Sequence, residues 1–207
     1  MNSDIKSMEG KIITVVGIPG SGKTTLGENL SKRFGIDFLE ENWKSIPFIH
    51  GKGAEKSSNF EICIGFLNMR YSQITKANEI RLKGNNVIID TVLEMTAIYS
   101  RQMLDDEEYK EFEKVYNVYC GILPKPDFYL YLVGDLDVIR ERALKRNLGI
   151  KIEQAMLSKE NLLKSKDGIE TVLADIDKSK ILEIDVIKED VRDDAVLGSI
   201  TQRASLL

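Results

Sequence analysis

Residues 12–25 read IITVVGIPGSGKTT: a short, largely apolar run, Ile12 to Val16, passes directly into Gly17-Ile18-Pro19-Gly20-Ser21-Gly22-Lys23-Thr24. That octet matches G-x-x-x-x-G-K-[ST] at every fixed position. An apolar run of this length suits a strand buried on both faces. Gly20 and Gly22 permit backbone conformations that turn successive N–H groups inward, and a helix starting there adds its positive end. The loop from Gly17 to Thr25 is therefore expected to cradle a nucleoside triphosphate, with Lys23 on the β and γ phosphates of ATP and Thr24 on magnesium. A glycine-rich turn with an incidental lysine is the competing reading, and the context speaks against it. Leu26, Leu30 and Phe34 follow at helical spacing and Gly35 supplies a stop. The loop alone leaves the acceptor open, because GTPases, ATP-driven machines and small-molecule kinases share it.

The rest of the 207-residue chain suits one soluble globular domain over residues 1–207, with 43% apolar and 30% charged residues. Its 29 basic and 33 acidic side chains leave a formal charge of −4, which offers no positive field to a nucleic-acid polymer. Residues 1–10, MNSDIKSMEG, form a polar extension without the basic-then-apolar pattern of a secretory signal or membrane anchor, so a cytoplasmic protein with no membrane partner is expected. Cys63 and Cys120 make no disulfide framework, and with His50 as the lone histidine no zinc set forms; any metal is expected to sit on oxygen ligands.

Strand-like runs recur at 12–16, 37–41, 86–90, 127–133 and 180–185 with helical stretches between them. The pattern predicts an α/β fold with a five-stranded parallel sheet covered by helices on both faces. A long helix is expected from Phe60 to Leu82, others over 153–177 and, more weakly, 189–205. The acidic run Asp105–Glu108 reads as a solvated helix start or loop.

An early phosphate loop, a short chain and an arginine-dense stretch after the fourth strand, DLDVIRERALKRN, together resemble nucleoside and nucleotide kinases. There an arginine-bearing lid, here about residues 140–153, closes over the phosphates and stabilises the transferred group. Arg140, Arg142 and Arg146 are available, and a solvated basic helix face is the competing reading. FLEENWKSIPF, residues 38–48, more closely resembles the segment E-P-V-x-x-N-P-[FY] of the deoxynucleoside kinase family, with Glu41, Pro47 and Phe48 in register. The resemblance implies that Glu41 accepts the proton of a sugar 5′-hydroxyl as it attacks the γ-phosphate. Glu40 points to the other side of an extended chain. The long helix resembles the family's Q-x-x-F-L-x-x-R through Phe66, Leu67 and Arg70, with Cys63 at the base-reading glutamine. After the third strand Asp90 keeps the acid of [DE]-R-S, suited to magnesium, while Thr91 replaces the arginine and Thr96 a later aspartate. LPKPDFYLYL resembles the family's L-x-x-P-D strand entry, and in the lid Leu148 replaces the last arginine.

The residues implied to handle phosphate and hydroxyl, Lys23, Thr24, Glu41, Asp90, Arg142 and Arg146, are thus present, while the base-reading positions 63 and 96 are changed. Trp43 offers an aromatic wall for a flat acceptor or packs in the core, and Arg70 contacts the acceptor or pairs with an acid of the fold. His50, in a glycine-rich stretch over the acceptor side, receives no catalytic role. The reading is an ATP- and magnesium-dependent phosphotransferase acting on a deoxynucleoside or similar small acceptor. Two alternatives stand beside it, a nucleoside monophosphate kinase and a nucleotide-binding regulatory protein with little transfer. The family resemblance is also consistent with a homodimer through the long helices.

Overall fold

The computed structural model describes residues 10–46, 49, 57–146 and 156–205. Most of the polar N-terminal extension, Pro47, Phe48, His50, Leu148 and the lid beyond Arg146 lie outside the described residues.

β1 (Ile12–Val16) is buried at every position, as its unbroken apolar run requires, and it occupies the middle of the sheet. Around it stand β2 (Asp37–Leu39), β3 (Val87–Asp90), β4 (Phe128–Val133) and β5 (Ile181–Asp185) in the order β2-β3-β1-β4-β5, every neighbouring pair parallel. Thr14 lies opposite Ile89 of β3 and Tyr129 of β4. Strand side chains alternate between the two faces. Ile13, Val15 and Ile88 pack toward α1 (Lys23–Phe34) and the C-terminal helix, while Ile12, Val87 and Ile89 meet Cys63, Leu67 and Phe112 on the opposite face. Helices on both faces of a five-stranded parallel sheet are the predicted architecture.

The long helix α2 spans Asn59–Leu82 and begins with a reciprocal capping box between Ser58 and Glu61. α3 (Leu93–Met103) and α4 (Asp106–Ile122) follow β3. The acidic run is the start of α4: Asp105 caps Glu107 and Glu108 through their N–H groups, and the charges of Asp106 to Glu108 suit the helix's positive end. α5 (Leu136–Arg146) carries the arginines expected of a lid, α6 (Lys159–Ala174) packs Gly168 against Ile98 of α3, and α7 (Asp194–Ser205) closes the fold. The second strand is shorter than its sequence run of 37–41, so Glu40 and Glu41 project from the chain just beyond it. No described helix is long and apolar enough to cross a membrane.

Candidate active site

The carboxyl ends of β1, β2 and β3 converge, which is where an open parallel sheet binds ligands. β1 delivers the phosphate loop. Gly20 (φ 86°) and Gly22 (φ 97°) both adopt the left-handed backbone that a side chain resists, and Gly22 caps α1 in that conformation. Gly20 also has no room for a Cβ: one would lie 2.5 Å from the Ile139 carbonyl oxygen and 2.8 Å from the Ala143 methyl. The loop is therefore seated directly on α5. Lys23 folds back and donates to the carbonyls of Gly17 (3.0 Å) and Ile18 (3.4 Å), holding the loop closed around its own ammonium.

Burial pulls the Lys23 ammonium below its ordinary value. Asp90 and Glu41 oppose that shift, whereas Arg146 and Arg70 add to it. Glu41 from the end of β2, Arg70 from α2, Asp90 from β3 and Arg146 from α5 thus act on one ammonium. The three α5 arginines differ in where they reach. Arg146 acts on Lys23, Arg142 donates to the Val186 carbonyl at 3.3 Å, and Arg140 donates to the Leu157 carbonyl at 2.7 Å.

Asp90 closes β3. Its Oδ2 accepts from the Thr24 hydroxyl at 2.7 Å, and its Oδ1 is buried with no hydrogen-bond partner among the described residues. A carboxylate oxygen left without a donor beside a threonine hydroxyl fits a hard cation or a water bound to one. The next residue, Thr91, is buried and has φ 78°, a strained choice for a β-branched side chain. Its N–H donates to the Val15 carbonyl (2.9 Å), and its own carbonyl accepts from the Thr14 hydroxyl (3.0 Å). Both bonds run to β1, so the sharp exit from β3 is pinned to the strand that carries the phosphate loop.

On the acceptor side Arg70 is 2% exposed, in the middle of α2. Its Nη2 donates to Glu41 Oε1 at 2.6 Å, and its Nη1 donates to the Asp90 carbonyl at 2.7 Å and to Gln73 Oε1. The pairing with an acid of the fold, one of the two readings open for Arg70, is present. The acid is Glu41, and Glu40 instead lines a groove of about 740 Å³ outside β2, as alternation along an extended chain requires.

Cys63 and Trp43 both pack in apolar clusters. Cys63 is buried among Leu67, Leu93, Leu104 and Phe112, hydrogen-bonded to Ser100, and burial pushes its thiol up. Trp43, in a single 3₁₀ turn over residues 43–45, packs with Ile46, Ile49 and Ile62 under the Lys44 ammonium. Two residues that the sequence did not single out belong to the charged cluster. Gln73 bonds Arg70, and a glutamine one turn from Arg70 on a largely apolar inward stripe of α2 was its available signal. Tyr99 of α3 is hydrogen-bonded to Ser165 of α6, and its phenol is pushed up first by burial and then by the Glu41 charge. No periodic stripe announced α3.

A family model described as deoxynucleoside kinase matches residues 13–203, nearly the whole chain. The chain belongs to the deoxynucleoside kinase family. Within that family it is similar to the deoxyguanosine kinase of Bacillus subtilis, 30% identical over 136 residues that cover 65% of this chain and 66% of that enzyme. It is also similar to the deoxyadenosine kinase of Dictyostelium discoideum, 26% identical over 70% of this chain and 59% of the other. The chain thus spans somewhat less than two thirds of these relatives' own length. The solved structure of a deoxyadenosine kinase from M. mycoides with bound dCMP and dCDP superposes with a TM-score of 0.74 at 20% identity, covering 95% of this chain and all of that one. That likeness shows the P-loop kinase fold. Family membership bears out the resemblance to the deoxynucleoside kinases and favours neither alternative reading.

Proposed function

We propose that the protein transfers the γ-phosphoryl group of ATP to the 5′-hydroxyl of a deoxynucleoside. The observation that carries this reading is Glu41, a carboxylate fixed by a buried guanidinium on the acceptor side of the Lys23 loop. A hydroxyl acceptor needs a base; a monophosphate acceptor needs cations and would meet a carboxylate in their place, with Arg70 already engaged.

In this mechanism the loop amides and Lys23 bind the triphosphate, Lys23 exchanging its carbonyl partners for phosphate oxygens. Arg146 adds positive charge over the transferred group, where developing charge is stabilised best. Glu41 Oε1 stays on Arg70 and the carboxylate accepts the 5′-hydroxyl proton. The hydroxyl oxygen bonds to the γ-phosphorus as the bond from that phosphorus to the β-bridging oxygen breaks, releasing ADP. Thr24 and Asp90 would hold a magnesium ion, which supplies charge neutralisation on the β and γ phosphates when bound. Tyr99, between Ser165 and the Glu41 charge, would wall the acceptor from the α6 side. The whole chain serves as one catalytic domain in this reading, working in the cytoplasm. Apolar side chains left in solvent on α2 and α4, Leu82, Val118 and Ile122, support a homodimer through the long helices.

ADP release measured with ATP, magnesium and a panel of deoxynucleosides, ribonucleosides and their monophosphates tests the proposal. Turnover with a deoxynucleoside and none with its monophosphate is expected; the reverse would assign a monophosphate kinase, and ATP binding without stimulated release would assign a regulatory protein.

A further inference from the structure

Arg70 can serve Glu41 only if its own guanidinium is held still, and the geometry points to Gln73 as the positioning residue that does this. The inference rests on the reading of Glu41 as the base. Among the described residues Arg70 Nε is buried without a partner, so none of them fixes the plane of the group on that side. Orientation depends on Nη1, whose two hydrogens go to the Asp90 carbonyl and to Gln73 Oε1. Nη2 is left to aim at Glu41. Without Gln73 a single carbonyl anchors Nη1, and the guanidinium is free to swing about it.

The amide of Gln73 can be oriented only one way. Its Nε2 donates to the Leu39 carbonyl at 2.7 Å, a group that only accepts, so Oε1 must face Arg70, which only donates. Leu39 is the last residue of β2 and stands two positions before Glu41. One side chain therefore indexes both the backbone from which Glu41 departs and the cation that receives its carboxylate. Arg70 and Gln73 are three apart on α2, on one helix face, so a rigid helix sets their spacing. β2 is an edge strand of three residues, with β3 as its lone strand neighbour among the described residues. Gln73 gives it a further tie from α2 that the strand ladder does not supply.

The test uses the full chain carrying Gln73→Leu, Gln73→Glu, Arg70→Met, and Arg70→Met combined with Gln73→Leu. kcat and KM for a deoxynucleoside, the ATP Kd and the unfolding midpoint are measured for each. Gln73→Leu is expected to lower kcat on the order of tenfold, as slight misplacement of a reacting group does, with acceptor KM and ATP Kd unmoved. Gln73→Glu is expected to lower kcat further, because its new carboxylate draws Arg70 away from Glu41. Added to Arg70→Met, Gln73→Leu is expected to change kcat by less than about twofold, since it acts through a group already gone. A Gln73→Leu protein with unchanged kcat, even one that melts earlier, would overturn the inference, as would an undiminished effect in the Arg70→Met background. A parent protein that releases no ADP with any deoxynucleoside would refute the functional reading and this inference together; an active parent with an indifferent Gln73→Leu would refute the inference alone.

Discussion

Glu41→Gln keeps the side chain's length and its Oε1 acceptor and removes only the charge, so it separates what the carboxylate does from what it fills. Arg70 retains its bonds to the Asp90 carbonyl and to Gln73, and its 2.6 Å bond to residue 41 changes from charge-assisted to neutral. Such a bond goes from about 1.5–3 to about 0.5–1.5 kcal/mol. With the Glu41 side chain 29% exposed and partly screened by water, the stability loss should lie near the lower end of the difference, about 1 kcal/mol. For a chain of this size that is a fall of about 2–4 °C in Tm. The catalytic loss is set by another quantity, the proton acceptance of a positioned base, typically about 10²- to 10⁴-fold, or about 3–5 kcal/mol of barrier. Coupled ADP-release kinetics, calorimetric ATP binding and a thermal melt should therefore show a collapsed kcat, an unchanged ATP Kd and a small shift in Tm. A kcat within about tenfold of the parent would remove Glu41 from the role of base. A Tm fall beyond about 10 °C would make the ion pair chiefly a structural element.

Other expectations follow from the donor side. Because burial lowers the Lys23 value in the free protein and bound phosphates would raise it, ATP affinity should fall as pH climbs from that lowered value through the window below 10.5, with proton uptake on binding there. Calorimetry in buffers of different ionisation heat reads this, and a pH-independent Kd across that window would contradict it. Gly20→Ala must pay about 1–2 kcal/mol for its left-handed backbone and about 1–3 more for crowding Ile139 and Ala143, and should lose ATP binding. Gly35→Ala, left-handed but with nothing within 4 Å, should incur only the first cost in urea unfolding; equal losses would deny the contact between loop and α5. Asp90→Asn should raise the magnesium needed for half-maximal rate on the order of tenfold to a hundredfold, and an unchanged requirement would exclude Asp90 from the metal site.

The donor half was legible in the sequence because its parts are contiguous: Ile12 to Thr25 contain the strand, the turn and the helix start in order. The five strand runs and the α2 stripe could be read for the same reason. α3 and α4 gave no comparable pattern. α3 buries the polar Thr96 and Ser100 among its apolar residues, and α4 fully buries Phe112 alone. The acceptor side was legible only as residue types. That Arg70 meets Glu41 depends on the register between α2 and the end of β2, 29 residues apart, and no local period encodes it. Gln73 stayed hidden for a related reason, since a helical glutamine shows its purpose only once its two partners, Leu39 and Arg70, are brought beside it.

The sheet order places the two halves of the chemistry on unequal foundations. The triphosphate loop grows from β1, braced by a strand on either side, whereas Glu41 leaves a three-residue strand at the margin. A margin can loosen while the centre stands. Under the proposed function, drift in acceptor preference can therefore accumulate at the rim without endangering nucleotide capture, and fraying of β2 would silence transfer in a molecule still holding its donor.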